Sequence, residues 1–126
     1  MITGVGTDVV EIDRFRNLKR RAQFLDQIFT RTEINNAPSG PSQDTFYATL
    51  FAMKEALLKA LGCGLTEGSL WREIQINKDW IPHLSGVLRR KAEERSAGKI
   101  HVSHSHSENN AVAFVLIEST LGEEIL

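Results

Sequence analysis

The sequence predicts an α+β fold in which an antiparallel sheet packs around a long central helix, and three features support this. Residues 46–61 contain no helix-breaking residue and repeat apolar side chains every three or four positions. Residues 2–12 alternate as a strand does, and residues 99–118 hold two further strand-like segments joined by a short polar turn. The 126 residues are enough for one domain, which we take as 1–126.

The opening strand carries a carboxylate on a face that is otherwise apolar or without side chains. The even-numbered side of this strand combines Asp8 with apolar residues and with two glycines, Gly4 and Gly6. An ionised carboxylate on an inward face needs a cation or hydrogen-bond donors to compensate for lost hydration. The glycines leave room for another backbone or a ligand. Asp8 is therefore either a strand-end residue bonded to nearby amides or, if Glu55 lies opposite, part of a site.

The next segment, residues 13–29, is predicted to form one helix that concentrates positive charge. Such a run is usually a solvated face, but in a chain of formal net charge −1 it also makes a positive patch suited to an acidic partner. Beyond it, Thr30 and Glu33 have the spacing of a capping box, and residues 35–42 are typical of a loop. The basic residues of the predicted helix are Arg14, Arg16, Lys19, Arg20 and Arg21.

The central helix, residues 46–61, has two unlike faces. One is a broad apolar arc, whereas the other places three alanines around Glu55 and Lys59, which indicates that something packs closely there. Glu55 and Lys59 are four residues apart and could equally form an ordinary exposed helix pair. Lys54 projects from the apolar arc, and we expect its ammonium group to reach solvent at an edge. The helix is thus either a core helix with a polar rim or one wall of a site.

The second half of the chain is predicted to alternate short strands with one surface helix. Residues 73–77 and 80–84 form strands, residues 86–98 a helix, and residues 99–107 and 111–118 a hairpin. The last strand is apolar without alternation and should be covered on both faces, either centrally in a sheet or by another subunit. His104 and His106 face one side of the preceding strand and His101 faces the other, so the three cannot share one metal ion. An imidazole that donates to a phosphate or a backbone carbonyl fits this spacing better.

Composition excludes several protein classes. A charged fraction of 25% with almost no net charge argues against a disordered tail or a general nucleic-acid coat. No run of about 18 apolar residues is present, and the first residues lack the pattern of a signal peptide. The single cysteine, Cys63, excludes an internal disulfide framework and a cysteine-based zinc site. We expect a cytoplasmic protein.

Three motifs in order resemble one enzyme family. They are Gly4-Val-Gly-Thr-Asp-Val-Val-Glu-Ile-Asp-Arg14, Phe51-Ala-Met-Lys-Glu-Ala-Leu-Leu-Lys-Ala-Leu-Gly62 and His101-Val-Ser-His-Ser-His106. Together they resemble the holo-(acyl-carrier-protein) synthases, small bacterial 4′-phosphopantetheinyl transferases, over about residues 1–118. The resemblance implies a pseudo-barrel α+β subunit, usually a homotrimer with active sites between neighbouring subunits. It also implies transfer of phosphopantetheine from coenzyme A to a serine of an apo-acyl carrier protein used in fatty acid biosynthesis, with release of adenosine 3′,5′-bisphosphate.

The resemblance assigns the central chemistry to three residues. Asp8 and Glu55 would be catalytic residues that bind Mg²⁺, an ion suited to all-oxygen coordination by one or two carboxylates and substrate phosphates. Lys59, also catalytic, would bind a phosphate of the coenzyme A pyrophosphate. The general base is left open between Glu55 and a water molecule bound by the metal.

The resemblance also implies residues that contact coenzyme A outside the reacting phosphate. Lys54 would contact the nucleotide side, His106 the 3′-phosphate, and Gly62 and Gly64 would form a turn beside the molecule. His104 stands where the family usually has an aliphatic residue.

Two further points concern the residues that would bind the carrier protein and one position where this sequence differs from the family pattern. Arg14 and Arg21 resemble the family's docking surface for the acidic carrier protein. Leu50 replaces an arginine common in the family, for which Arg31 or Lys78 could compensate. The alternative to a transferase is a non-catalytic module that binds an acidic protein or nucleic acid through the Arg14–Arg21 helix.

Overall fold

A computed structural model describes residues 1–63 and 70–120 of the chain. A 19-residue helix packs against a three-stranded antiparallel sheet, and a smaller two-stranded sheet and short helices complete the α+β fold. The elements are β1 (Ile2–Glu11), α1 (Asp13–Arg16), α2 (Arg21–Ile28), α3 (Arg31–Asn36), α4 (Ser42–Ala60), β2 (Ile74–Ile76), β3 (Pro82–Leu84), α5 (Gly86–Glu94), β4 (Ala97–His106) and β5 (Asn110–Ser119).

The last strand lies at the centre of the larger sheet, whose order is β1-β5-β4. Its odd-numbered residues, from Ala111 to Ile117, are buried against α4. Val112 and Phe114 point to the other face and remain 37% and 43% exposed. The strand is thus central in the sheet, as one of the two alternatives predicted, but the expected cover on both faces is not found within the described residues, where its outer face is left uncovered.

The backbone of the opening strand is in direct contact with the backbone of the central helix, with no side chain between them. An added Cβ at Gly6 would lie 1.9 Å from the carbonyl oxygen of Ala56, and one at Gly4 would lie 2.0 Å from that of Ala60. No side chain fits such a gap, so the glycines admit the helix backbone, one of the two occupants that the sequence allowed. The alanine face of α4 packs on β1 for the same reason.

The helix predicted for residues 13–29 is wrong in one respect, because it is divided. It is interrupted at residues 17–20, where Arg20 adopts a left-handed conformation with φ 53°. The break allows Phe15 of α1 to enter the core, where its ring lies 5.9 Å from that of Phe24 and 5.7 Å from that of Phe51. Aromatic packing thus outweighs the continuation of one helix.

Several other boundaries differ from the prediction, those of the strands by one or two residues and those of two helices by four. The central helix begins at Ser42, four residues earlier than predicted, and α5 ends at Glu94 before a turn through Ser96 at φ 54°. In residues 1–63 and 70–120, no helix has the length and apolar character needed to cross a membrane.

Candidate active site

Asp8 and Glu55 line one cavity of about 280 Å³ between the opening strand and the central helix. Asp8 lies two residues after Gly6 on β1, and Glu55 directly precedes Ala56 on α4. The backbone contact between Gly6 and Ala56 therefore brings the two acidic side chains to the same place. The rest of the cavity wall consists of Val9, Arg14, Phe24, Phe51 and Trp71.

Each acid has one oxygen committed to a protein donor. Lys59 Nζ donates to Asp8 Oδ1 at 3.0 Å and to the Thr7 carbonyl at 3.0 Å. Trp71 Nε1 donates to Glu55 Oε1 at 2.8 Å. Among the described residues, none donates a hydrogen bond to Asp8 Oδ2 or Glu55 Oε2. The cavity is therefore lined by two carboxylates, each with one oxygen to which no described residue donates, and carboxylate oxygens are ligands that suit a hard divalent cation.

Two cations border this acidic pair. Lys59 is half-exposed and ion-paired to Asp8, one helical turn beyond Glu55. The Arg14 guanidinium lies over the ring of Phe51, 5.3 Å from its centroid. Arg14 thus lines the cavity, and Lys59 is bonded to one of the two acids that line it.

The sequence-based expectation that Lys54 reaches solvent is wrong. Its side chain is fully buried, with Nζ 2.6 Å from Glu33 Oε1 and within 3.1 Å of the carbonyl oxygens of Ile28, Trp71 and Ile74. Burial lowers its pKa from 10.5 to about 8, a shift that Glu33 partly offsets. With these protein acceptors around it, Lys54 connects α4 to three other segments, and its contact with the nucleotide side stays a prediction.

Glu33 has a role that the sequence did not reveal. The predicted capping box at Thr30 is confirmed, since both of its hydrogen bonds are present. The same carboxylate is fully buried, pairs with Lys54, and accepts a hydrogen bond from the backbone N–H of Ile76 at 2.7 Å. These partners lie 21 and 43 residues away, so no local spacing could have indicated them.

Arg21 is engaged within the subunit. Its guanidinium donates to Gln43 Oε1 at 2.9 Å and to the Phe15 carbonyl, and pairs with Asp44 at 2.9 Å. These contacts join α2 to the start of α4. The docking role expected of Arg21 therefore has less structural support than that of Arg14, which lines the acidic cavity.

His106 lies in a different cavity, of about 310 Å³, on the β4 side of the central helix. His104 shares this cavity and stacks on Trp80 with a centroid distance of 4.3 Å. Burial, with a smaller contribution from His106, lowers the pKa of His104. His101 faces the opposite side of the sheet, as predicted, and lies 3.1 Å from Glu118.

The remaining predicted residues lie near the end of the central helix or beside Leu50. Gly62 follows α4 with φ 76°, a conformation that favours glycine at a helix end, whereas Gly64 lies outside the described residues. Leu50 lines a cavity of about 190 Å³ together with Lys78. Arg31 instead approaches Asp26 at 4.0 Å. Of the two compensating residues considered, Lys78 is the one beside Leu50.

Trp71 is the residue of the acidic cavity that the sequence analysis missed. A single tryptophan outside any periodic pattern carries no signal of contact with a carboxylate 16 residues earlier. Its position is set by tertiary packing, including a centroid distance of 5.7 Å from the Phe51 ring.

Known proteins resemble this chain in both amino-acid sequence and fold. The family model for the 4′-phosphopantetheinyl transferase superfamily matches residues 4–115. A holo-(acyl-carrier-protein) synthase of Leifsonia xyli is 42% identical over 94% of this chain and 98% of its own length. One from Clostridium novyi is 39% identical over 94% and 88%.

Solved structures of synthases have the same fold as this chain. The synthase of Neisseria meningitidis superposes with a TM-score of 0.78 at 31% identity, covering 94% of this chain and all of that one. The synthase of Bacillus anthracis, in complex with coenzyme A (3′,5′-ADP), gives 0.74 at 32% identity, covering 95% and 99%. With the resemblance of the three motifs thus confirmed, the chain belongs to the 4′-phosphopantetheinyl transferase superfamily.

Proposed function

We propose that this chain transfers 4′-phosphopantetheine from coenzyme A to a serine of apo-acyl carrier protein, with the Asp8–Glu55 cavity as the reacting centre. The observation that carries the assignment of the centre is the pair of carboxylates that line one cavity, each with one oxygen that accepts no hydrogen bond from the described residues, with Lys59 bonded to one of them. Family membership and relatives named as synthases support the reaction itself.

The residues of the cavity fit a bound Mg²⁺. Asp8 Oδ2 and Glu55 Oε2 would hold the ion, and substrate phosphate oxygens and water would complete its coordination, as Mg²⁺ prefers. When bound, the ion neutralises charge that develops as the pyrophosphate of coenzyme A is cleaved. No group of three or more possible metal ligands occurs in residues 1–63 and 70–120, which suits an ion bound jointly by protein and substrate.

The protein's own side chains orient the substrate. Lys59 donates to Asp8 Oδ1, and its half-exposed ammonium group places a positive charge where a phosphate would lie. The Arg14 guanidinium adds charge at the rim. Lys59 favours entry of the polyanionic pyrophosphate beside two carboxylates that would otherwise repel it, whereas the charge of Arg14 serves docking of the acidic carrier protein.

We further propose a homotrimer in which neighbouring subunits share each active site. Within one chain, His106 lines a cavity other than that of Asp8 and Glu55, and a site formed between neighbouring subunits would let one coenzyme A contact His106 of one and the two acids of the other. The uncovered sheet face supplies an apolar surface, with Val5 and Val9 51% and 62% exposed beside Phe114. That the oligomer contains three subunits is taken from the resemblance to the family.

Mixing two inactive variants tests the shared site. Subunits with Glu55→Gln lose the acid and subunits with His106→Ala lose the imidazole, whereas mixed trimers contain some sites with both groups. We expect activity to reappear after unfolding and refolding the two variants together. Sedimentation should give a mass three times that of one chain. A monomeric active protein, or a mixed trimer without activity, would contradict the proposal.

Arg14→Glu is expected to raise the KM for acyl carrier protein about tenfold while the KM for coenzyme A stays unchanged. A reversed charge at the rim opposes docking of an acidic partner, and this effect should shrink as salt rises. Arg90→Glu, the same change on α5, is the matched control and should leave both constants unaltered. If Arg14→Glu weakens coenzyme A binding instead, the docking surface lies elsewhere.

A carrier-loading assay tests the function. Protein, coenzyme A, Mg²⁺ and apo-acyl carrier protein are incubated, and the carrier's mass is measured. We expect a gain of one phosphopantetheine, which disappears when Mg²⁺ is chelated. A carrier that binds the protein but never gains mass would favour the non-catalytic module that binds through Arg14–Arg21.

A further inference from the structure

Trp71 contacts two consecutive residues of the central helix through two different groups. Its backbone carbonyl accepts a hydrogen bond from Lys54 Nζ at 3.1 Å, and its indole Nε1 donates to Glu55 Oε1 at 2.8 Å. Consecutive helical residues point about 100° apart. Lys54 therefore points into the core while Glu55 faces the cavity, and Trp71 reaches both.

The lysine end of this contact is rigidly held. Lys54 is fully buried and bonded to Glu33 and to the carbonyl oxygens of Ile28 and Ile74. The Trp71 carbonyl therefore accepts from a donor that three further acceptors hold in place beside α4. Packing of the Trp71 ring beside Phe51, at 5.7 Å between centroids, restrains the side chain as well.

The hydrogen bond from the Trp71 indole occupies one oxygen of the Glu55 carboxylate and leaves the other available to a ligand. Because Nε1–H engages Oε1, the carboxylate cannot rotate without losing a charge-assisted hydrogen bond. Oε2 accepts no hydrogen bond from the described residues, and Glu55 lines the same cavity as Asp8. We propose that Trp71 is a positioning residue, which orients the Glu55 carboxylate so that Oε2 is presented to the metal ion; this rests on the metal site proposed above.

The substitution that isolates this role is Trp71→Phe. It keeps an aromatic ring near Phe51 and the carbonyl group that accepts from Lys54, but removes the Nε1–H donor. Loss of a hydrogen bond that orients a metal ligand typically lowers metal affinity about 10- to 100-fold. We expect the Mg²⁺ concentration for half-maximal rate to rise by about that factor, while the KM for acyl carrier protein stays unchanged.

A binding measurement that needs no turnover supports the rate data. The chain has two tryptophans, Trp71 and Trp80, so Trp80→Phe leaves Trp71 as the one fluorophore of its kind. Mg²⁺ added with coenzyme A should change Trp71 emission, because the ion draws charge from the carboxylate that the indole contacts. Calorimetric titration of Mg²⁺ into the coenzyme A complex should show weaker binding for Trp71→Phe than for the parent chain.

Glu55→Gln, measured in parallel, separates the two proposals. If Glu55→Gln destroys Mg²⁺ binding and Trp71→Phe weakens it, the metal site and the positioning role of Trp71 are both supported. If Glu55→Gln destroys binding while Trp71→Phe binds Mg²⁺ like the parent, the positioning role is wrong and the metal site stands. If Glu55→Gln binds Mg²⁺ normally, the metal site is wrong and the role of Trp71 falls with it.

Discussion

Glu55→Gln or Asp8→Asn should each lower kcat/KM for carrier loading by about 1,000-fold while the chain stays folded. A metal ion at this position is worth several kcal/mol in the transition state, and about 4 kcal/mol corresponds to a factor of about 1,000. Both replacements are isosteric. The amide oxygen introduced at each position would still accept a hydrogen bond, from Trp71 in one variant and from Lys59 in the other, so packing should change little.

The control for this prediction is Glu93→Gln on α5. Glu93 is exposed and paired with Arg89 four residues earlier on the helix surface, far in sequence from the cavity. The same loss of charge there should leave kcat/KM unaltered. Circular dichroism and the thermal midpoint should match the parent chain for all three variants. Near-parental activity in either cavity variant would mean that the acids do not bind the ion.

Lys54→Met should lower the free energy of unfolding by about 3–5 kcal/mol, because it leaves Glu33 charged and unpaired in the core. Domains of this kind have only about 5–15 kcal/mol in total. Urea unfolding followed by circular dichroism measures the loss. Lys59→Met, five residues along the same helix, removes a half-exposed ion pair and should cost less than about 1 kcal/mol. Equal stability of the two variants would contradict the structural role of Lys54.

The difference in free energy of unfolding between the parent chain and Lys54→Met should depend on pH with a definite sign. Burial lowers the pKa of Lys54 in the folded chain from 10.5 to about 8, so the unfolded chain holds this proton more firmly. At about pH 7 both states are protonated, and the contribution of this lysine does not vary. Between about pH 8 and 10.5, the free energy of unfolding of the parent should rise relative to that of Lys54→Met. A difference that falls with pH in this range would contradict the assignment.

The sequence predicted those parts of the site whose signals are local. Side-chain periodicity placed an acidic residue on the glycine face of the first strand and another on the alanine face of the helix, while their assignment to one site came from the resemblance to the family. Their convergence followed because glycine and alanine faces allow close backbone approach. The capping box at Thr30 was similarly local.

Features that depend on distant partners were not predictable in this way. Lys54 looked like a side chain that would reach solvent, because nothing near it in sequence indicated Glu33. Trp71 gave no periodic signal, and the break between α1 and α2 contains neither proline nor glycine. It arises from where Phe15 must pack. In each case the deciding contact joins segments that only the folded chain brings together.

The main-chain contact between Gly6 and Ala56 has an evolutionary consequence. Since the span between the two acids is fixed by strand and helix backbones, aliphatic residues on the far side of the helix are free to drift in volume with little effect on ion geometry. Exchange of Gly6 or Gly4 for a residue with a side chain would instead push the strand and the helix apart, because an added Cβ would overlap a carbonyl oxygen of the helix. Lineages of this enzyme should therefore tolerate wide variation in their interior while these few small positions stay constant.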